Sequence, residues 1–154
     1  MTDPNVAPNP MDLAFAEAEK AAARGEVPVG AVIVDPVTGA VLGTAGNRTE
    51  ELCDPTAHAE ILAIRQAAAA LGSPRLPGLD LHVTLEPCAM CAAAISFARL
   101  RRVYFAAYDP KGGAVDHGPR FFQQTTCHHA PDAYGGFGEA RAAALLRDFF
   151  KDRR

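Results

Sequence analysis

The chain has 154 residues, 49% of them apolar and 21% charged, a length and balance that suit one folded domain and exclude a disordered chain. A net charge of −3 and a pI near 5.9 argue against broad, non-specific binding to nucleic acid, so no DNA partner is expected. No apolar run approaches the ~20 residues of a membrane span, which excludes a helical membrane protein.

Residues 1–10 have neither the basic start nor the apolar run of a signal peptide. They read as a flexible N-terminal tail ahead of a single domain over 11–154, with Asn9-Pro10 resembling a helix cap followed by proline at the first helical position. Met11, Phe15, Ala18 and Ala22 then recur at helical spacing, and Gly25 closes the segment. Val27 to Val34 is a continuous run rich in valine and isoleucine, the pattern of a strand buried on both faces. Turn residues from Asp35 to Gly39 predict a hairpin back through Ala40 to Ala45. A polar loop, Thr49 to Thr56, leads into a helix with its apolar stripe at Ile61, Ile64 and Ala68, ending at Leu71-Gly72-Ser73-Pro74. Leu79 to Leu85 alternates as a strand does. Strand, helix and strand in succession predict a right-handed crossover that leaves the two strands parallel.

An alanine-rich helix follows from Cys88 to about Ala98, small enough in its side chains to approach the sheet or another subunit closely. Arg102 to Tyr108 reads as a strand, and Glu139 to Lys151 as a final amphipathic helix with Ala142, Leu145, Leu146 and Phe149 inward. Between Asp109 and Gly138 only a helical turn near Phe121 and a short strand candidate at Asp132 to Tyr134 stand out. The basic groups at Arg99, Arg101 and Arg102 and at Lys151, Arg153 and Arg154 read as solvated surface. The class is α/β: helices on both faces of a mostly parallel sheet with one antiparallel edge hairpin, three layers in all.

The chemistry gathers at Pro87-Cys88-Ala89-Met90-Cys91 and His58-Ala59-Glu60. Two thiols three positions apart stack on a helix and can grip one ion, and His58 adds an imidazole from a second element. Soft sulfur with imidazole points to one Zn²⁺ per chain, and three protein ligands leave the fourth position of a catalytic site open for water. Glu60 is not needed as a ligand and is placed to carry the proton of that water. Side chains two apart on a helix normally diverge by about 200°, so His58 and Glu60 converge only at an open helix N-terminus. Thr56 or Asp54 is expected to cap that end, and Pro87 to sit in the first turn of the second helix. The helix dipoles there favour deprotonated Cys88 and Cys91. A zinc knuckle or a redox pair is the plainer reading of the cysteines alone, and it leaves Glu60 without a task. Four cysteines, two engaged by metal, suit a reducing cytoplasm.

His58-x-Glu60 followed by Pro87-Cys88-x-x-Cys91 resembles the zinc-dependent nucleobase deaminases. More specifically, Val27-Pro-Val-Gly-Ala-Val, Asn47-Arg48, Asp54-Pro-Thr-Ala-His-Ala-Glu60, Val83-Thr-Leu-Glu-Pro-Cys-Ala-Met-Cys91 and Asp148-Phe-Phe are similar to the bacterial tRNA-specific adenosine deaminases. The resemblance runs from about Met11 to Arg154. It implies a cytidine-deaminase-like fold with a five-stranded sheet, a homodimer, and hydrolysis of the wobble adenosine of a tRNA anticodon stem-loop to inosine. It also implies that Asn47 holds the target nucleotide and that Asp109 and Lys111 line the RNA path. For these residues the plainer readings are a turn asparagine and an ordinary surface turn. The C-terminal helix around Phe149, Phe150 and Arg153 matches an element that packs on the anticodon loop, with Phe149 read as core rather than a stacking platform.

The stretch from His117 to His129 departs from the best-known members of the family, which puts in doubt any RNA contact between Val115 and Gly138. Cys127-His128-His129 invites a second metal, but adjacent histidines diverge on an extended chain, and a packing role is preferred. Cys53 reads as a loop thiol. Two other functions compete: a deaminase of free guanine, adenosine or a pyrimidine with the same zinc chemistry, and a non-catalytic zinc-stabilised subunit. The acidic pI favours the first slightly, while the presence of Glu60 speaks against the second.

Overall fold

A computed structural model describes residues 9–151 and 153, so residues 1–8 of the expected tail lie outside the described part. The first helix, α1, spans Pro10–Ala23, and the Asn9 side chain accepts from the Met11 amide at 2.9 Å, so Asn9 caps the helix and Pro10 opens it as read. There follow β1 (Gly30–Val34), β2 (Val41–Gly46), α2 (Ala59–Leu71), β3 (Asp80–Leu85), α3 (Ala89–Ala98) and β4 (Arg102–Ala107). A 3₁₀ turn at Phe121–Gln123, β5 (Asp132–Tyr134) and α4 (Glu139–Lys151) complete the order. The weakly signalled fifth strand is therefore present. β1 starts three residues later than expected, because Pro28 has no N–H for a ladder and Val29 donates locally to the Val27 carbonyl at 2.8 Å.

The sheet runs β2-β1-β3-β4-β5, with β1 antiparallel to both neighbours and β3, β4 and β5 mutually parallel. Four strands thus share one direction and β1 alone opposes them. The expected crossover does join two strands of like direction, β2 and β3, but β1 lies between them. The consequence for the site is direct. The C-terminal ends of β2, β3 and β4 emerge on one edge, and the start of β1 fits between the first two, with Gly30 opposite Gly46 and Ala31 opposite Val83. Asn47, Glu86 and Asp109 all leave the sheet at that edge.

Alternation along β1 builds two cores. Ala31 and Ile33 join Ala59, Ala63, Leu81, Val83, Ile95 and Phe105 beneath α2 and α3, while Val32 and Val34 join Met11, Phe15, Ala106 and Ala142 beneath α1 and α4. Two glycines set how closely the layers approach. A Cβ at Gly30 would overlap the Ala14 carbonyl of α1, and one at Gly43 would overlap the Ala63 carbonyl of α2. Backbone atoms cannot yield as a flexible side chain does. Gly30→Ala is therefore expected to destabilise the protein by about 1–3 kcal/mol, read as a lower urea midpoint with an unchanged slope. An unaltered midpoint would show that α1 is not seated this tightly.

Candidate active site

Both segments expected to bind metal lie at helix N-termini. His58 is the extended N-cap of α2 (φ −75°, ψ 153°), and Cys88 is the extended N-cap of α3 (φ −74°, ψ 175°). Neither side chain caps its own helix, which leaves both free for a metal. Pro87 precedes the N-cap rather than occupying the first turn. Cys91 follows one turn into α3 and is fully buried.

Asp54 and Thr56 do not cap α2, contrary to expectation. The Asp54 carboxylate instead accepts from the Thr56 amide at 2.8 Å and from the Thr56 hydroxyl at 2.7 Å, closing a local turn. The cap comes from Asn47, twelve residues upstream, whose Oδ1 accepts from the Ala59 amide at 2.8 Å. That donor fixes the orientation of the amide: its oxygen faces α2, and its Nδ2 remains a donor on the other side.

His58 Nδ1 lies 3.5 Å from Cys91 Sγ and 3.7 Å from Cys88 Sγ, and the three ligand atoms lie within 4.8 Å of one another. A tetrahedral ion with Zn–S of ~2.3 Å and Zn–N of ~2.0–2.1 Å holds N and S about 3.5 Å apart. The donor set and its spacing therefore fit zinc. Among the described residues this is the one cluster placed to hold a metal. Cys127 Sγ meets Ser96 Oγ at 3.5 Å and donates to the His129 carbonyl at 3.2 Å. Cys53 is exposed, and its thiol donates to the nearby Glu50 carbonyl at 3.7 Å.

The electrostatics separate the two thiols. A hydrogen bond from Cys91, helped by His58, brings Cys88 down to about 4 against its burial. Cys91 donates that bond from a buried position and is pushed far up. His58 is raised chiefly by its hydrogen bond to Cys88. Glu60, only 4% exposed in the first turn of α2, is pushed up to about 7 by burial, with the Cys88 charge adding to the rise.

Of the residues that sequence resemblance assigns to substrate, Asn47 stands directly beside this centre through Ala59. Asp109 and Lys111 sit on the loop after β4, where Asp109 Oδ1 accepts from the amides of Lys111 (3.2 Å) and Gly112 (3.0 Å) and Lys111 is exposed. Two buried glutamates escaped the reading of the sequence. Glu26 accepts from the Glu50 and Glu51 amides at 3.0 Å each and pins the loop that delivers His58. Glu86 gathers the loop after β4. The one signal at Glu86 was a charge set between a strand and a proline. Arg101 is not free surface either, since it forks onto the buried Asp80 at 2.9 and 2.6 Å. Two clefts of about 510 and 500 Å³, one beside Arg24 and Arg48 and one beside His82 and Tyr104, contain none of the metal-binding residues.

The Glu60 shift has a defined sign. Below about pH 4.5 the carboxyl is protonated whether the chain is folded or not; between about 4.5 and 7 the unfolded chain ionises first, so stability falls as pH rises. Glu60→Gln should remove about 3 kcal/mol of that fall in urea melts of metal-free protein between pH 4.5 and 8. Parallel curves for the two proteins would contradict the assignment.

Residues 5–107 match the cytidine and deoxycytidylate deaminase zinc-binding region. The chain is 62% identical to the tRNA-specific adenosine deaminase of Agrobacterium fabrum over 94% of its own length and 93% of the relative's. A solved structure from a study of A-to-I editing by tRNA:A34 deaminases at the wobble position of transfer RNA aligns with a TM-score of 0.86 at 62% identity, covering 89% of this chain and 98% of that one. Guanine deaminase from Bacillus subtilis aligns with a TM-score of 0.61 at 32% identity, over 75% of this chain and 83% of that one. With its His58, Cys88 and Cys91 cluster on this fold, the chain belongs to the tRNA-specific adenosine deaminase family, within the zinc-binding cytidine and deoxycytidylate deaminases.

Proposed function

We propose that the chain hydrolyses the amino group of the wobble adenosine in a tRNA anticodon, giving inosine and ammonia. The observation that carries this reading is the full-length similarity to tRNA-specific adenosine deaminases, joined to a buried carboxyl poised near neutrality beside the His58, Cys88 and Cys91 cluster. His58, Cys88 and Cys91 hold the zinc, which when bound supplies a Lewis acid that lowers the pKa of water toward ~7.

Glu60 takes one proton of the attacking water and delivers it to the ring nitrogen beside the amino-bearing carbon; it then takes the remaining proton from the hydroxyl newly bonded to that carbon and passes it to the amino nitrogen, so that the C–N bond breaks and ammonia leaves as the carbonyl forms. A carboxyl held near 7 can both accept and donate at neutral pH. Asn47 donates through Nδ2 to the purine, because its Oδ1 is committed to α2. Lys111 offers its cation to the RNA backbone, and the Asp109 carboxylate shapes the turn that presents it.

A single deaminase domain, a homodimer and a cytoplasmic setting belong to the same reading. One sheet carries both cores, Phe97 stands 73% exposed on the alanine-rich α3, and thiolate ligands require reducing conditions. Sedimentation at the mass of one chain would remove the dimer.

Similarity to a guanine deaminase keeps one competing reading in play, a free-base deaminase with the same chemistry. Product analysis separates the two. Zinc-loaded protein should convert wobble adenosine to inosine in an anticodon stem-loop while leaving free guanine, adenosine and cytidine untouched, and Glu60→Ala should reduce the rate by at least ~10²-fold. Asn47→Asp, which keeps the cap oxygen and loses Nδ2, should stay folded yet bind the stem-loop poorly; Asn47→Ala should also lose about 0.5–2 kcal/mol of stability. Ammonia from free guanine with unmodified RNA would replace the tRNA reading.

A further inference from the structure

The side chain of Glu86 is fully buried, and the residue lies one position beyond β3 and two before Cys88. Its Oε1 accepts from the Asp109 amide at 3.0 Å and faces His117 Nδ1 at 2.8 Å. Its Oε2 accepts from the consecutive amides of Val115 (3.1 Å), Asp116 (3.0 Å) and His117 (3.2 Å). These donors come from 23 to 31 residues away and from one loop. A carboxylate left alone in such a place would be costly to bury, so the loop and the carboxylate each need the other.

The same loop is tied at neighbouring points. The Ala114 amide donates to the Pro87 carbonyl at 2.9 Å, and the Gly113 amide to the Asp109 carbonyl at 2.8 Å. Gly113 meets the carboxylate from the loop side: a Cβ there would overlap both the Glu86 carboxylate and the Asp109 carbonyl. Its φ is not in the left-handed region, so it is proximity to Glu86, not backbone conformation, that demands glycine. Glu86 is outside the metal-binding cluster, and its acceptor sites point to the loop.

We propose that Glu86 is a positioning residue, which clasps the Asp109–His117 loop to the segment leading into Cys88 and thereby sets how firmly the RNA is held. The inference rests on the functional reading above, in which Asp109 and Lys111 belong to the RNA path. The clasp joins the loop that meets the substrate to the strand end that carries the metal, so the two keep one relative geometry.

Glu86→Gln and Gly113→Ala attack the clasp from opposite sides. Gln preserves volume but turns an N–H₂ group toward amides that need acceptors. In zinc-loaded protein, both variants should raise KM for the anticodon stem-loop by ~10-fold and leave kcat within ~3-fold. Zinc content should stay at the wild-type value. Hydrogen exchange at the amides of residues 109–117 should accelerate by ~10-fold or more, with peptides from α2 and α3 unchanged.

Unchanged exchange in that loop overturns the clasp, as does loss of zinc together with activity, which would make Glu86 a support of the metal helix alone. A fall in kcat at constant KM overturns the role in holding RNA. Wild-type protein that leaves the stem-loop unmodified defeats the functional reading instead, and the exchange data then stand apart as a test of the clasp.

Discussion

His58 Nδ1 and the Sγ atoms of Cys88 and Cys91, from two segments thirty positions apart, lie within 4.8 Å of one another, and this juxtaposition organises the molecule. Helix N-termini allow it, because the N-cap is extended and its side chain is not committed to the helical surface. The fold supplies two such termini on one edge by giving β2 and β3 the same direction and fitting the start of β1 between their ends. Close seating of α1 and α2, permitted by Gly30 and Gly43, then fixes the height of α2 over the sheet. Asn47 completes the alignment by satisfying the Ala59 amide at the start of α2, while the His58 side chain makes no cap bond.

Buried glutamates show how one residue type is given different tasks. Glu86 and Glu26 each accept hydrogen bonds from backbone amides of a loop. For Glu86 burial alone would raise the carboxyl, yet the Asp109 amide and the other loop donors outweigh it and hold it below the ordinary carboxylate range. Glu60 lacks such a set of loop amides and faces the negative Cys88, so burial prevails. The carboxyl pushed toward neutral pH is the one beside His58, Cys88 and Cys91, whereas that of Glu86, which fastens a loop, is held low.

Local chemistry was legible in the sequence. His58-x-Glu60 and Pro87-Cys88-x-x-Cys91 carry the metal logic in their own spacing, and α4 shows its stripe plainly enough that Ala142 and Phe149 are buried as read. What depended on distant partners was hidden. Nothing near Asn47 announces that it caps a helix twelve residues on, and nothing near Glu86 announces five donors beyond β4. The edge hairpin itself was read, but which of its strands lies inward was silent, since β1 inside and β2 inside have the same local pattern. The short β5 was faint because its three residues are paired along one side only, to β4.

Folding alone should assemble a single zinc site from His58, Cys88 and Cys91, with one position left for a non-protein ligand. X-ray absorption at the zinc edge of purified protein, together with metal analysis, tests it most directly. The account predicts one zinc per chain with two sulfur ligands at ~2.3 Å and two nitrogen or oxygen ligands at ~2.0–2.1 Å. A shell of three or four sulfurs, which would recruit Cys53 or Cys127, or a shell with no sulfur, would contradict it.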